Sequence, residues 1–364
     1  MSLFDRKPAL RWLAPLAFVL VVGGTSGVVA LNATADPRLA PRSAAELLVD
    51  LQQAKIDALS GTVVQESNLG IPELPGRGMN DSSLTSLVSG THTLRVWYSG
   101  PDRARLALLP SLNETDVIRN GPDLWTWSSK DNSATHRTLP AKDTKQGRQP
   151  GMDHTPTDMP KTPQEAAEKV LAAVDPTTVV RTDSNVTVAG RGAYELVLQP
   201  KDSRALVTEV RVAIDGTEHI PLRVRVFAGS GKPAFEVAFT AVSFERPDDA
   251  QFAFNPPAGT AVTEIEPDQS TPDSRAGKVA HQPSSADPTV VGSGWTTVVV
   301  TETGSGGVAN GELGQLLRSL PTVNGKWGSG RLLAGTAFSV VVTDDGRMAA
   351  GSVKPELLYQ ALEK

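Results

Sequence analysis

The feature that most constrains this fold is a series of segments in which apolar residues occupy every second position. The clearest apolar series are Val210, Val212 and Ile214, then Leu222, Val224 and Val226, then Phe235, Val237 and Phe239. Charged residues such as Arg211, Arg223 and Arg225 fill positions between them. Because successive side chains of a strand point to opposite faces, each segment forms a strand with one apolar and one polar face. The pattern predicts an antiparallel sheet that is covered on one side only.

The same alternation occurs earlier in the chain, where turn sequences separate shorter strands. Its apolar positions are Leu94, Val96, Leu106 and Leu108, and its basic positions are Arg95, Arg103 and Arg105. A turn at residues 120–123 then leads into an aromatic strand, in which Trp125 and Trp127 share one face. These two rings either pack beneath covering helices or line a ligand cavity, and the sequence leaves both interpretations open.

Two amphipathic helices are available to cover the apolar side of this sheet. Capping boxes at residues 43–46 and 162–165 predict one helix over residues 44–58 and another from residue 163 to about Val174. Apolar residues recur at helical spacing in the first of them. We therefore expect an α+β fold in which a curved antiparallel sheet is covered by two helices, with an apolar interior that need not be filled.

Composition divides the chain after residue 42 into two domains. Residues 43–262 hold the strands and helices described above, and residues 263–293 predict a linker because Pro, Ser, Asp and Thr dominate them. Residues 294–364 predict a small C-terminal α/β domain, which is expected to pack on the main domain because about 70 residues make a marginal core. Its elements are expected as strands at 295–301 and 338–343, a hairpin turn at 344–346, and helices at 313–320 and 355–362.

The N-terminus determines the predicted compartment. Basic residues within positions 6–11 precede an apolar stretch over residues 13–31, which is just long enough to span a bilayer. Basic flanks stay on the cytoplasmic side, so the rest of the chain is expected outside the cytoplasm, in the cell envelope or secreted. Small residues at 33–35 have the spacing of a signal-peptidase site. Residues 1–35 are therefore either a cleaved signal peptide or an uncleaved membrane anchor, and in both cases they enter the membrane.

The residue types that carry most enzymatic chemistry are absent or scattered. The chain has no cysteine, which excludes disulfides, thiolate metal sites and a lipid-modified N-terminal cysteine. Its five histidines show no metal-ligand spacing, and residues 229–232 lack the flanking residues of a phosphate-binding loop. A net charge of −5 gives no electrostatic footprint for nucleic acid. We expect a binding protein that is not an enzyme and carries no metal or cofactor.

Four short motifs occur in an order that resembles a known superfamily. They are LSGTVVQ at residues 59–65, GPDRAR at 100–105, IRNGPDLW at 118–125, and the succession of IDG at 214–216, PLR at 221–223 and FAFNPP at 252–257. Their order and spacing are similar to those of the bacterial extracytoplasmic proteins LolA, LppX and RseB, which are a lipoprotein carrier, a lipid carrier and a sigma-factor regulator. The resemblance covers residues 43–262.

The resemblance implies an open half-barrel whose concave apolar face, plugged by the helices, holds the acyl chain of a lipid or lipoprotein. The alternation of apolar positions along each strand identifies the residues predicted to line this site. They are Leu94, Val96, Leu106, Leu108, Trp125, Trp127, Val210, Val212, Ile214, Val224 and Val226. The alternating arginines are expected to form a solvated convex face or, alternatively, a patch that docks a partner or a lipid headgroup. They are Arg95, Arg103, Arg105, Arg223 and Arg225.

Two further functions stay open. The C-terminal domain is similar to the second domain of RseB, which implies a regulatory protein that binds a membrane-anchored anti-sigma factor. A passive envelope scaffold is the third hypothesis, and it predicts a packed interior without room for an acyl chain.

Overall fold

The computed structural model describes residues 39–71, 87, 89–110, 113–139, 176–229, 231–265, 288–302 and 317–364. Within this part of the chain, thirteen strands form one large sheet and six form a second sheet near the C-terminus. The large sheet is curved and does not close into a barrel. The predicted α+β class and the open, mostly antiparallel sheet are therefore confirmed.

The large sheet contains the following strands. They are β1 (Ala58–Ser67), β2 (Gly90–Ser99), β3 (Arg103–Leu108), β4 (Thr115–Asn120), β5 (Asp123–Ser128), β6 (Ser133–Thr138), β7 (Thr178–Thr182), β8 (Val186–Val188), β9 (Arg191–Pro200), β10 (Glu209–Asp215), β11 (Pro221–Phe227), β12 (Phe235–Ser243) and β13 (Ala261–Ile265). Their spatial order is β13-β6-β5-β4-β3-β2-β1-β12-β11-β10-β9-β7, and β8 pairs with β9. Neighbours are antiparallel except β13, which runs parallel to β6. The edges are formed by β13 and β7.

The first predicted helix is present but shorter than expected. Helix α1 (Ala44–Gln53) begins with the predicted capping box, in which the Glu46 amide donates to Ser43 Oγ and the Ser43 amide donates to Glu46 Oε2. It ends four residues before β1, although the sequence predicted helix as far as residue 58. Ala58 pairs with Ser99 of β2, so strand pairing overrides the helical spacing there. The second predicted helix, residues 163–174, lies outside the described residues.

Helix α1 covers only one end of the sheet. Leu47 and Leu48 are buried against Tyr194 and Leu196 of β9 and Ile214 of β10. In the described part of the chain, no helix is long and apolar enough to cross a bilayer. The N-terminal segment, residues 1–35, lies outside that part.

The turn between β8 and β9 contains a conformation that its residue does not favour. Ala189 and Gly190 both have positive φ, 51° and 74°, and two-residue hairpin turns of this kind prefer Asn-Gly. We expect Ala189→Asn to raise the free energy of unfolding by about 1 kcal/mol, because asparagine adopts left-handed geometry at lower cost. Urea denaturation measures the change. The same substitution at Ala241, whose φ is not positive, is the control and should give no gain.

The C-terminal sheet contains more strands than the sequence indicated. They are β14 (Thr289–Val291), β15 (Val298–Glu302), β16 (Thr322–Gly325), β17 (Gly328–Ala334), β18 (Ser339–Thr343) and β19 (Arg347–Gly351), followed by helix α2 (Pro355–Leu362). The spatial order is β14-β15-β19-β18-β17-β16. The sequence missed β14, β16 and β17 because they are short or interrupted by glycine, which hides their alternation. The strand expected from residue 295 begins at Val298, since Gly294–Thr296 form a 3-10 turn.

Candidate ligand-binding site

Strand register places nine of the eleven predicted lining residues on the same side of the large sheet. Leu94 pairs with Leu108, Val96 with Leu106, Val210 with Val226, and Val212 with Val224. Ile214 follows Val212 at the same parity. Val63 of β1, which pairs with Leu94, and Val237 of β12, which pairs with Val224, connect the two halves. We call this surface, from β9 to β3, the apolar face.

The apolar face is largely shielded from water. Leu94, Val96, Leu108, Val210, Ile214 and Val224 are at most 4% exposed. Leu106, Val212 and Val226 are half-buried and pack against the buried cluster that contains Val96, Val210 and Val224. Ala337, which lies between β17 and β18, and Trp295, in the 3-10 turn between β14 and β15, also pack in this cluster. Six of the nine predicted aliphatic residues on this face are therefore buried, and the other three are half-buried against apolar neighbours.

The two tryptophans lie on the opposite side of the sheet, so the prediction that they line the same cavity is wrong. Trp125 pairs with Ile118, and Ile118 pairs with Arg105. Arg105 in turn pairs with Trp97, which alternates with Val96 along β2. This chain of pairings puts Trp125 and Trp127 on the polar face, and Thr126 between them on the apolar side.

A segment that crosses the polar face explains why aromatic residues are placed there. Residues 244–260 connect β12 to β13 and pass over β3 to β6; we call them the crossing segment. Phe252 is 1% exposed, and the ring of Phe254 lies 5.2 Å from Trp125 and 6.2 Å from Trp127. The tryptophans therefore pack beneath a distant part of the chain rather than beneath helices.

A buried glutamine, which the sequence analysis did not identify, interrupts the apolar face. Gln65 of β1 is 2% exposed and pairs with Val237 on one side and His92 on the other. Its Nε2 donates to the Leu87 carbonyl at 2.7 Å. Its Oε1 is buried and has no hydrogen-bond partner among the residues that the structure describes. The alternation of side chains along β1 places Gln65 on the same side as Val63, but it does not show that Gln65 is buried.

The polar face carries the predicted arginines, but most of them are ion-paired rather than solvated. Arg211, Arg223 and Arg225 all donate to the carboxylate of Glu195, at 2.8, 2.9 and 2.7 Å. The side chain of Glu195 is 3% exposed. Burial raises the pKa of Glu195, but the hydrogen bonds from these arginines and the charge of Arg225 outweigh it and hold the pKa below its usual value.

A second buried carboxylate behaves in the opposite way. Asp116 of β4 has a fully buried side chain, and Arg105 Nη2 donates to its Oδ2 at 2.5 Å. Burial raises the pKa of Asp116 to about 6; the charge of Arg105 lowers it, and that of Glu114 raises it further. The single arginine at Asp116 therefore offsets the effect of burial on the pKa less than the three arginines at Glu195 do.

The remaining predicted arginines also have partners. Arg103 Nη1 lies 2.5 Å from Asp249 Oδ1 of the crossing segment, and the Arg95 guanidinium lies 5.6 Å from the ring centre of Trp97. A bare cationic patch for a lipid headgroup is therefore not present among these five arginines.

One histidine is structural rather than solvated. His136 Nε2 lies 2.9 Å from Asp123 Oδ1, and Nδ1 lies 2.7 Å from Glu264 Oε2 of β13, while the ring stacks on Trp125 at 4.1 Å. The hydrogen bond with Asp123 is the main cause of the raised pKa of His136. No group of His, Asp and Glu residues in the described ranges could hold a metal ion.

No protein-family model matches the sequence, and no curated protein matches it. The fold is similar to solved structures. The MucA/MucB complex of Pseudomonas aeruginosa matches with 16% identity, a TM-score of 0.43, and coverage of 88% of this chain and 96% of that chain. An uncharacterised conserved protein of Thermus thermophilus matches with 12% identity, a TM-score of 0.34, and coverage of 60% and 98%. A LolA superfamily protein of Nitrosomonas europaea matches with 12% identity, a TM-score of 0.23, and coverage of 59% and 99%.

Proposed function

We propose that this protein binds the acyl chain of a lipid or lipoprotein on the apolar face, outside the cytoplasm. The observation that carries the proposal is the set of nine aliphatic side chains, contributed by four strands, that share one side of an open sheet. The apolar N-terminal stretch supports export, because it has the length and the basic flank of a membrane-inserting segment.

The physical basis of binding is the removal of methylene groups from water. Each buried methylene contributes about 0.8 kcal/mol, so a long acyl chain gains several kcal/mol even after the cost of ordering it. Val212 packs against two apolar clusters, one beneath α1 and one at the centre of the sheet. An acyl chain that follows the apolar face would therefore contact Val212.

We expect Val212→Asp to weaken binding of a fluorescent fatty acid at least tenfold, because the charge would have to be buried against the acyl chain. Titration of the delipidated protein measures the affinity, and circular dichroism checks the fold. Val64→Asp is the matched control. Val64 is half-buried in β1 and lies on the opposite side of the sheet, so this variant should bind as the wild type does.

Native mass spectrometry of gently purified protein provides an independent test. We expect a co-purified lipid adduct that is lost in Val212→Asp. A protein that carries no lipid and also takes up no fatty acid would contradict the proposal.

A second function is favoured by the edges of the large sheet. Among the described residues, the large hydrophobic side chains that are exposed are Val179 on edge strand β7 and Val262 and Ile265 on edge strand β13, with 42%, 43% and 45% exposure. An open edge with apolar side chains can accept a strand from another protein. The alternative is therefore a regulatory protein that binds an extended segment of a membrane-anchored partner, such as an anti-sigma factor.

A pull-down from membranes separates the two functions. If the protein is such a regulator, the wild type should retain a transmembrane protein that the double variant Val262→Lys/Ile265→Lys does not retain. Fatty-acid binding by the double variant should be unchanged. Retention of no transmembrane protein by the wild type would count against it.

A further inference from the structure

The buried amide of Gln65 is the feature of the apolar face that the acyl-chain proposal leaves unexplained. The side chain points to the same side of β1 as Val63, and Val237, which pairs with Gln65, is in the main apolar cluster. Within the described part of the chain, its Oε1 accepts no hydrogen bond, even though the residue is only 2% exposed. Buried polar atoms are normally satisfied, so an unpaired acceptor in an apolar site indicates a missing partner.

The orientation of the amide is fixed by its other end. Nε2 donates to the Leu87 carbonyl at 2.7 Å, and a carbonyl can only accept, so the nitrogen must occupy that position. Oε1 is therefore the atom left without a partner.

The neighbouring polar side chain does not supply the missing donor. His92, which pairs with Gln65 across β1 and β2, has Nε2 at 2.7 Å from the Ser89 carbonyl. Because that contact requires the proton on Nε2, the neutral ring offers only an acceptor at Nδ1.

We propose that Gln65 Oε1 accepts a hydrogen bond from the bound lipid, so that the ligand carries a hydroxyl, amide or protonated carboxyl donor within the apolar site. This inference rests on the proposed function and adds the ligand's polar chemistry to it. Gln65 is then a specificity residue, since a plain hydrocarbon chain would leave its acceptor unpaired, and sites of this kind discriminate strongly against ligands that lack the donor.

The test compares two ligands that differ only in the donor, 1-dodecanol and its methyl ether, in competition with a fluorescent fatty acid on the delipidated full-length chain. We expect the wild type to bind the alcohol at least tenfold more tightly than the ether. In Gln65→Met the preference should fall below twofold, because the ether no longer leaves a buried acceptor unpaired. Gln199→Met is the matched control, because Gln199 lies on the polar face and donates to Glu209, and it should keep the wild-type preference.

Each other outcome overturns one specific claim. Equal affinity of the wild type for alcohol and ether would overturn the role of Gln65 and leave acyl-chain binding intact, as expected if a buried water pairs with Oε1. A preference that persists in Gln65→Met would assign the acceptor to another residue. Failure of the wild type to bind the fatty acid or either competitor would overturn the proposed function itself. The wild-type comparison needs no variant, so it decides the matter even if Gln65→Met does not fold.

Discussion

Glu195→Gln is expected to lower the free energy of unfolding by about 3–5 kcal/mol at pH 7, because it removes the carboxylate that the partly buried Arg223 and Arg225 share. Arg211 loses one of its three carboxylate contacts and keeps those with Asp183 and Glu209. The carboxylate holds Arg211, Arg223 and Arg225, which come from β10 and β11, while Glu195 itself stands on β9. The substitution preserves the size of the side chain, so the change reports on charge rather than on packing. Urea denaturation at fixed protein concentration measures it.

The pH dependence gives a second check on Glu195. Its folded pKa lies below the usual value, so its stabilising contribution is present above the unfolded pKa of about 4.3 and is lost as the pH falls through the folded pKa. The difference between wild type and Glu195→Gln should therefore shrink in acid. Glu236→Gln, at a half-buried position on the same face, is the control and should change stability by less than about 0.5 kcal/mol. A loss that is as large at pH 3 as at pH 7 would contradict the electrostatic explanation.

The sequence predicted the apolar face well because the required information is local. Alternation within β10 and β11 is visible in any one strand, and the strands pair in register with their apolar positions aligned. The tryptophans of β5 show where local information ends. Alternation established that Trp125 and Trp127 share a side, but the covering residue Phe254 follows more than a hundred positions later. Which side of an aromatic strand is covered depends on that distant segment.

The buried polar residues were beyond sequence analysis for a related reason. Glu195 stands in a strand with Tyr194, Leu196 and Val197, where a charged residue normally marks the solvent side. Its burial follows from arginines on two other strands, so it becomes apparent only once the strand order is known. The same holds for Gln65, whose partner Leu87 lies between β1 and β2. Local alternation therefore fixes which side of a strand a residue takes, whereas the chemistry of the site depends on contacts between strands.

Asp116→Asn is expected to raise the free energy of unfolding by about 1–3 kcal/mol at pH 8, although it removes an ion pair. Burial raises the pKa of Asp116 to about 6, which means that folding favours its neutral form despite the charge of Arg105. At pH 8 the folded protein must hold the ionised carboxylate in a fully buried position. Asparagine removes that cost and keeps a similar shape. Urea denaturation of both proteins from pH 3.5 to pH 8 measures the gain.

The sign of the pH dependence distinguishes Asp116 from Glu195. Because the pKa of Asp116 is raised in the folded state, its carboxyl group contributes stability that is fully present below the unfolded pKa and is lost as the pH rises through about 6. The stability advantage of Asp116→Asn should therefore appear between pH 4 and pH 6 and vanish in acid. Arg105 keeps other contacts in the variant, since Glu114 Oε1 lies 3.8 Å away and the ring centre of Trp97 5.3 Å away. A destabilised variant at pH 8 would show that the pair with Arg105 outweighs burial. The two carboxylates thus give opposite results for the same change from acid to amide, because three arginines compensate the burial of one and a single arginine does not compensate the burial of the other.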